Sequence, residues 1–386
     1  MVNDFDLVIV GAGIVGAALA ASLRGAGLEI ALLEPHPPRP PDEDWDARIY
    51  AFSPGSVALL ERTGAWPAID AQRLAPVYAM DVRGDGAGHI RLDAADAGAL
   101  QLAWIAESGR VQHALWQSLQ GQAGLTVLPG ARGTAVRWAA DGAQLTLEDG
   151  TVLQTRLVVA ADGRPSWVRG MAGIDVRRGD YRQSGVVANF SCQRPHEGMA
   201  RQWFRDDGIL AWLPLPGERI SIVWSTDALH TAELLALAPE ALAERVVEAG
   251  GRALGDLTLL TPAVAFPLSI LRVDRLVAPG LALIGDAAHG VHPLSGQGVN
   301  LGLRDVAELS RVLRERGEAG CGDLVLLRRY ERARRGDILA MQTVTDGLYH
   351  LFAPRNPLIA GLRNLGMNLV QNLAPLKSRL VRQALA

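Results

Sequence analysis

Cysteine is scarce: Cys192 and Cys321 are the only two in 386 residues, and they lie far apart. That excludes a metal cluster built on thiolates, offers no disulfide framework and fits a reducing cytoplasm. No apolar run approaches the roughly 18 to 20 residues needed to cross a bilayer. The opening MVNDFDLVIV is acidic where an export signal would be positive, so neither export nor a spanning segment is expected. Neither sign of charge dominates, 38 Lys+Arg against 41 Asp+Glu leaving −3, and no basic block alternates with aromatics, so nucleic acid is not an expected partner. Histidine pairs and carboxylate groups at metal-ligand spacing are missing, and FSPGS (Ser53 to Ser56) lacks the strand and helix of a hydrolase nucleophile elbow. Internal repeats are absent as well. What remains is 49% hydrophobic and 20% charged residues, the balance of a globular chain with core enough for two or three domains.

The pattern along the chain predicts elements. FDLVIV, Phe5 to Val10, reads as a buried strand, followed by a helix from Ile14 to about Ala26 and a second strand, EIALLE, ending at Glu34. PHPPRPPDEDWD reads as a surface loop, SVALLERTGAW as a helix closed by Gly64, and Pro76 to Leu92 as a hairpin about RGDGAGH. GRVQHALWQSL has a helical pattern, and a meander with DG turns ends in the buried strand RLVVAAD. From about 176 to 274 the segments GVVANFSC, ILAWLPLP and RISIVWST predict an antiparallel sheet rich in tryptophan. Strand, turn and helix return near Gly285, with helical sequence to about His350. The expected fold class is α/β, a Rossmann-like dinucleotide-binding domain of residues 1–75, 98–175 and 275–345. Residues 76–97 and 176–274 would form an inserted antiparallel-sheet substrate domain, and 346–386 a basic amphipathic helical tail.

Three motifs carry chemistry. Gly11-x-Gly13-x-x-Gly16 stands between a strand and a helix, with Glu34 at the end of the next strand. Glycines there allow the tight turn and bring backbone N–H groups to a pyrophosphate, while the carboxylate can accept from ribose hydroxyls. An acid at this position, rather than an arginine, favours FAD or NAD over NADP. VVAADGRPSWVR places Asp162 and Gly163 after a buried strand, with Ser166 early in a helical segment; alone it reads as a common turn. GDAAHGVHPLSGQGVNLGLRD places Asp286 where it could bond a sugar hydroxyl, and Gly296, Gln297, Gly298 and Asn300 where backbone N–H groups could meet a flavin edge.

In this order and spacing the motifs resemble the single-component flavoprotein aromatic hydroxylases with the para-hydroxybenzoate hydroxylase fold, over about residues 5 to 345. DARIYAFSPGSVALLERTGAW, ARQWFRDDGILAWLPL, SIVWS and LLRRYERARRGD are similar to ubiquinone-biosynthesis ring hydroxylases, and the likeness continues through the tail. The resemblance implies FAD held by the three motifs, with Arg48 near the flavin. NAD(P)H would reduce the flavin without a Rossmann domain of its own, and O₂ would be the oxidant. The implied substrate is a polyprenylated phenol, with a lean toward the C5 position. Alternatives are a hydroxylase of a small soluble aromatic and a non-catalytic FAD-binding member of a quinone-synthesis complex. The chain departs from the family at Ala106-Glu107-Ser108, where Val-Glu-Asn is usual, so no cofactor role carries over to Ser108.

Further expectations concern single residues. His289 reads as structural, bonding backbone in its turn, whereas His292 and Pro293 are candidates for the flavin and substrate face. Trp212 and Leu213, with Trp203 and Phe204, are candidates to line an apolar substrate pocket. After Asp346 no acid occurs, while Arg355, Arg363, Lys377, Arg379 and Arg382 interleave with leucines. Such a tail could lie on the inner face of the cytoplasmic membrane or contact a protein complex.

Overall fold

The computed structural model describes residues 3–292, 296–352, 357–373 and 377–378. In β1 (Asn3–Val10), Leu7, Val8 and Ile9 are wholly buried, because the strand is covered on both faces. α1 (Ile14–Ser22) stops short of the expected Ala26, since Gly25 and Gly27 take left-handed backbone (φ +74° and +64°) and turn the chain into β2 (Ile30–Glu34). β3 (Ile49–Phe52) leads into α2 (Pro54–Thr63), capped by the Ser53 side chain and ended by Gly64 at φ +81°. β4 (Ala75–Val77) precedes the hairpin of β5 (Ala79–Arg83) and β6 (His89–Asp93). β7 (Ala103–Glu107) runs directly into α3 (Ser108–Ser118). β8 (Leu125–Pro129) is followed by the meander β9 (Gly133–Ala139), β10 (Gly142–Leu147) and β11 (Val152–Ala160), and by the short α4 (Trp167–Met171).

The strand-rich stretch begins with β12 (Val176–Cys192), β13 (Met199–Arg205), β14 (Gly208–Leu215) and β15 (Arg219–Asp227). Two helices not anticipated from the sequence follow, α5 (Ala228–Ala236) and α6 (Pro239–Ala249), the first capped by the Asp227 carboxylate and the second opened by Pro239. β16 (Leu257–Leu259), β17 (Val264–Val273), β18 (Val277–Ala278), β19 (Leu281–Leu283) and β20 (His289–Gly290) lead to α7 (Gly298–Arg314), α8 (Leu324–Phe352) and α9 (Pro357–Asn372).

The strands form two large sheets and a small one. The first runs β18-β19-β11-β1-β2-β8, with β1 parallel to both β2 and β11. The carboxyl ends of β1, β2, β11 and β19 therefore share one edge, where ligands bind in open α/β sheets. The second runs β20-β17-β12-β15-β14-β13-β5-β6. It is mixed rather than purely antiparallel, because β5 pairs with β13 in parallel. Its outer face, including Phe190, Leu210, Ile222 and Trp224, packs on Leu242, Val246 and Val247 of α6. Its inner face turns toward the small sheet β3-β7-β4, where Leu213 and Leu215 meet Ile49, Ala51 and Ile105.

The edge strand β6 is covered by the tail. Asn364, Asn368 and Gln371, successive along one face of α9, accept hydrogen bonds from the N–H groups of Gly88, His89 and Arg91 at 2.8, 3.1 and 2.8 Å. Those donors would otherwise offer a template for another strand. Arg363 pairs with Asp85, and Lys377 with Asp96 at 2.9 Å, so two of the five tail cations are engaged by the body of the protein. Arg355, Arg379 and Arg382 lie outside the described residues.

Candidate active site

The glycine loop between β1 and α1 divides its glycines by task. A Cβ at Gly16 would stand 1.9 Å from the Gly11 carbonyl oxygen, and one at Gly11 (φ +101°) would stand 2.5 Å from the carbonyl oxygen of Ala161. Both glycines are demanded by close backbone packing. At Gly13 the added atom would meet nothing within 4 Å, and α1 starts there without a side-chain cap. Open space over uncapped N–H groups at a helix N-terminus is the cradle a pyrophosphate needs. Beside it, the buried Glu34 carboxylate accepts from the Ala12 N–H at 2.7 Å and the His36 N–H at 2.9 Å, which fixes it against the loop with lone pairs left for ribose hydroxyls. Gln112 of α3 donates to the Ala12 carbonyl at 3.3 Å, a neighbour of the cradle that sequence reasoning missed.

The other two motifs are tied together by arginines that also escaped notice. Arg169, 2% exposed, donates to the carbonyls of Ala287 and Arg164, both at 2.7 Å, and so links the turn after β11 to the turn after β19. Arg164 donates to the Asp286 carboxylate at 3.1 Å and to Ser269 of β17, joining the two large sheets. Asp162 accepts from the Val168 N–H at 3.1 Å through one oxygen, and its other oxygen is buried without a partner among the described residues. Gly163 adopts φ +79°, and Ser166 caps α4 through the Arg169 N–H. The unsatisfied Asp162 oxygen and the open Gly13 cradle lie at the same sheet edge and fit a dinucleotide with hydroxyl and phosphate groups.

A buried charge cluster stands behind the Asp286 turn. Asp305 of α7, 0% exposed, accepts from the Gly285 N–H at 2.9 Å, His289 at 2.6 Å and Arg334 of α8 at 2.7 Å. Burial pushes its carboxyl up, but His289 and Arg334 overcome this and hold it below the usual carboxylate range. Arg334 also pairs with Asp337 at 2.6 Å. His289 thus bonds a carboxylate and not, as expected from the sequence, backbone in its turn. The glycines of this motif have unequal roles. A Cβ at Gly302 would stand 2.7 Å from Val15, so Gly302 serves the packing of α7 on α1; Gly298 is open, and Gly296 (φ +61°) makes the turn.

Arg48 is exposed, its guanidinium 4.8 Å from the centre of the Phe266 ring, and its backbone meets the start of α3 where its carbonyl accepts from the Ser108 N–H. The acidic loop before it is clasped rather than loose. Glu107, 1% exposed, is bound by Arg73 and Arg110, which also donate to the carbonyls of Glu43, Asp44 and Asp42. Asn300 spends its side chain on the backbone, accepting from the Ser53 N–H at 2.9 Å and donating to the Ala51 carbonyl at 2.8 Å. Only its backbone, with that of Gln297 and Gly298 at the uncapped start of α7, is left to meet a ligand.

Two sequence expectations change. Trp212 is 1% exposed on the outer face of the second sheet, in edge contact with Trp203 and against the backbone of Gly250, so it belongs to the core under α6 and not to a pocket facing the first sheet. Strand alternation explains this, since Leu213 next to it points to the inner face, as does Phe204. His292 is 0% exposed, edge-on to Tyr181 (4.7 Å) and stacked on Tyr349 (5.5 Å). Burial lowers its pKa to about 4, with Asp346 pulling the other way, so the ring is neutral near pH 7. Such a ring packs the second sheet against α8 rather than reaching a substrate proton. Pro293 lies outside the described residues. Because the folded pKa lies below the unfolded value of about 6.5, His292 costs stability as pH falls from about 6.5 toward 4, by about 3 kcal/mol in all. His292→Phe should flatten the acid side of a Tm-versus-pH curve while hydroxylation and its coupling to NAD(P)H oxidation persist; loss of both would return His292 to the mechanism.

The strand, glycine cradle and ribose-side acid, under a second covering sheet, define a dinucleotide-binding protein. A family model described as an FAD binding domain matches residues 4–345. The 3-demethoxyubiquinol 3-hydroxylase of Escherichia coli is 36% identical over 386 residues, covering 98% of each chain. The ubiquinone hydroxylase UbiL of Rhodospirillum rubrum is 36% identical over 385 residues, 98% of this chain and 89% of that one. Among solved structures, PqsL of P. aeruginosa in complex with 2-aminobenzoylacetate has a TM-score of 0.80 at 26% identity, covering 94% of this chain and 100% of that one. The chain belongs to the FAD-dependent monooxygenases and, among them, to the family of ubiquinone-biosynthesis hydroxylases. FAD is the cofactor, with NAD(P)H and O₂ the usual co-substrates of the class.

Proposed function

We propose that this enzyme hydroxylates the ring of a polyprenylated phenol on the route to ubiquinone, at the C5 position, and that it does so at a membrane surface. The observation that carries the substrate class is the end-to-end likeness, 98% of this chain at 36% identity, to two ubiquinone hydroxylases. The stretch Ala200 to Leu215 and the tail support the C5 position. Bound FAD supplies the transfer of electrons from NAD(P)H to O₂ and the delivery of oxygen to the ring. The protein's part is to hold and orient. Gly13 and the N-terminus of α1 take the pyrophosphate, Glu34 the adenosine ribose, and Asp286, fixed by Arg164, the ribityl side. Arg48 and the start of α7 stand at the flavin end, and the inner face of the second sheet excludes water from the ring. Mass spectrometry of quinone intermediates after deletion of the gene tests this: a prenylated phenol lacking the C5 hydroxyl is expected to accumulate. An intermediate lacking a different oxygen overturns the position, and failure of the gene to restore any ring hydroxylation of the prenylated phenol in a strain lacking its ring hydroxylases overturns the substrate class.

Support for the membrane comes from the outward side of the tail. With the polar residues of α9 turned to β6, Leu369 and Leu373 are left exposed, as are Leu339, Val344, Leu348 and Leu351 on α8. Among the described residues no helix is long and apolar enough to cross a membrane. An apolar strip beside acid-free, cationic sequence suits the surface of an anionic bilayer. Truncation at Asp346 would bare β6, so the better probe is full-length protein with Leu348, Leu351, Leu369 and Leu373 changed to Ser. Recovery with phosphatidylglycerol vesicles should fall at least about tenfold at unchanged Tm, given about 0.8 kcal/mol per buried CH₂; equal recovery rejects the membrane role.

A further inference from the structure

Strand alternation gives β3 two faces. Ile49 and Ala51 pack toward Leu213 and Leu215 of the second sheet, so Tyr50 and Phe52 turn the other way, onto the core of the first sheet, with their rings in edge contact at 6.3 Å. Tyr50 pairs with Ala106 of β7, and the chain passes from β7 straight into α3 at Ser108. The Ser108 side chain is the hydrogen-bond partner of the Tyr50 hydroxyl. Both residues are only part-buried, so they keep surface that a bound molecule can reach.

Three sets of neighbours place this pair. Gln112, one turn on from Ser108 along the same face of α3, donates to the Ala12 carbonyl of the glycine loop at 3.3 Å. The carbonyl of Ala51, next to Tyr50, accepts from Asn300 of α7 at 2.8 Å. Arg48 and Asp286 both lie close enough to act on the charge of the phenol. Tyr50 and Ser108 therefore stand between the glycine cradle and the start of α7, on the stretch that the middle of FAD must cross. Burial raises the pKa of Tyr50 above its ordinary value against the pull of Arg48, so the phenol is protonated near pH 7. Ser108 also lowers it, as a donor to the phenolic oxygen does, and the Tyr50 O–H has no acceptor among the described residues. We propose that Tyr50 donates this hydrogen to an oxygen of bound FAD between the pyrophosphate and the flavin ring, and that Ser108 positions the phenol for it. The inference rests on the cofactor placement proposed above and adds a tyrosine that lies outside all three motifs.

The test is the FAD affinity of the full-length enzyme, read from flavin fluorescence on serial dilution of the holoenzyme. The wild type is compared with Tyr50→Phe, Ser108→Ala, Ser108→Thr, the Tyr50→Phe/Ser108→Ala double variant and Gly13→Ala. Tyr50→Phe keeps the ring and should bind FAD about tenfold more weakly, the effect of one hydrogen bond, with the Tm of the FAD-free protein unchanged. Ser108→Ala should weaken FAD by a smaller factor alone and by none in the Tyr50→Phe background, whereas Ser108→Thr, which keeps the hydroxyl, should bind as the wild type. Wild-type affinity in Tyr50→Phe overturns the proposal, and so does a loss of affinity matched by a fall in the Tm of the FAD-free protein, which would make Tyr50 merely structural. A Ser108→Ala loss that is undiminished in the double variant overturns the positioning role. If Gly13→Ala weakens FAD and Tyr50→Phe does not, the tyrosine contact fails and the cofactor placement stands. If Tyr50→Phe weakens FAD and Gly13→Ala does not, the contact stands and the placement of the pyrophosphate fails; if neither does, both fail.

Discussion

Asp305→Asn should destabilise the protein by about 3–5 kcal/mol, the cost of leaving a buried charge uncompensated, with a fall in Tm on the order of 5–10 °C. The substitution is nearly isosteric, so packing changes little. It removes the charge that balances Arg334, only 6% exposed, and weakens the acceptor for His289 and the Gly285 N–H. Because Gly285 precedes Asp286, the effect should reach the cofactor, and FAD affinity should fall along with stability. The pH dependence has a fixed sign. Asp305 is held below its usual range in the folded state, so its contribution is fully present above the unfolded pKa of about 3.9 and lost as pH falls through the folded value. The variant should therefore lose part of the acid dependence of its stability. Asp305→Leu combined with Arg334→Met should be less damaging than either single change, since no charge is then left alone. Thermal melts of the four proteins, with flavin content measured alongside, decide the matter; additive losses would show that the pair does not act as a unit.

Gly16→Ala should yield protein almost free of flavin and lower in Tm, whereas Gly13→Ala should fold as the wild type and still bind FAD at least about tenfold more weakly. The two positions belong to one motif but face opposite neighbours. At Gly16 the added carbon is 1.9 Å from the Gly11 carbonyl oxygen, so β1 and α1 must separate, a strain of about 1–3 kcal/mol or more that opens the cradle itself. At Gly13 the backbone (φ −63°) suits any residue and no protein atom lies within 4 Å, so the apoprotein should not register the change. A methyl group there occupies space that a pyrophosphate needs close to the helix N-terminus. Isothermal titration with FAD and melts of the apoproteins separate the cases; a Gly13→Ala protein with undiminished FAD affinity would remove Gly13 from the binding surface.

Much of the fold was legible because local pattern and tertiary packing agree. The continuous apolar run of β1, the Ser53 and Gly64 punctuation of α2 and the DG turns of the β9 to β11 meander all act within a few residues. The missed helices α5 and α6 lie where strand-like segments surround them, although Asp227 and Pro239 stand at their starts as legible caps. The arginines were invisible for another reason. Arg164 reaches Ser269 across 105 residues and Arg334 reaches Asp305 across 29, and no spacing rule marks such partners. Trp212 was misplaced because a strand's two faces alternate, and the sequence gives no sign of which face looks toward the cofactor sheet when both are apolar.

The sequence by itself determined the dinucleotide motif with its acid at Glu34, the succession of strand, turn and helix at Gly285, and the want of acids in the tail, since each is a property of neighbours in the chain. Tertiary structure alone decided which glycine touches backbone and which faces open space, that Asn300 and His292 are engaged by the fold, and that the tail covers β6. It alone set Tyr50 beside Ser108, because residues far apart in the chain become neighbours only when β3 and β7 pair. Sequence patterns record what a residue needs locally; whether a polar atom is satisfied depends on everything packed around it.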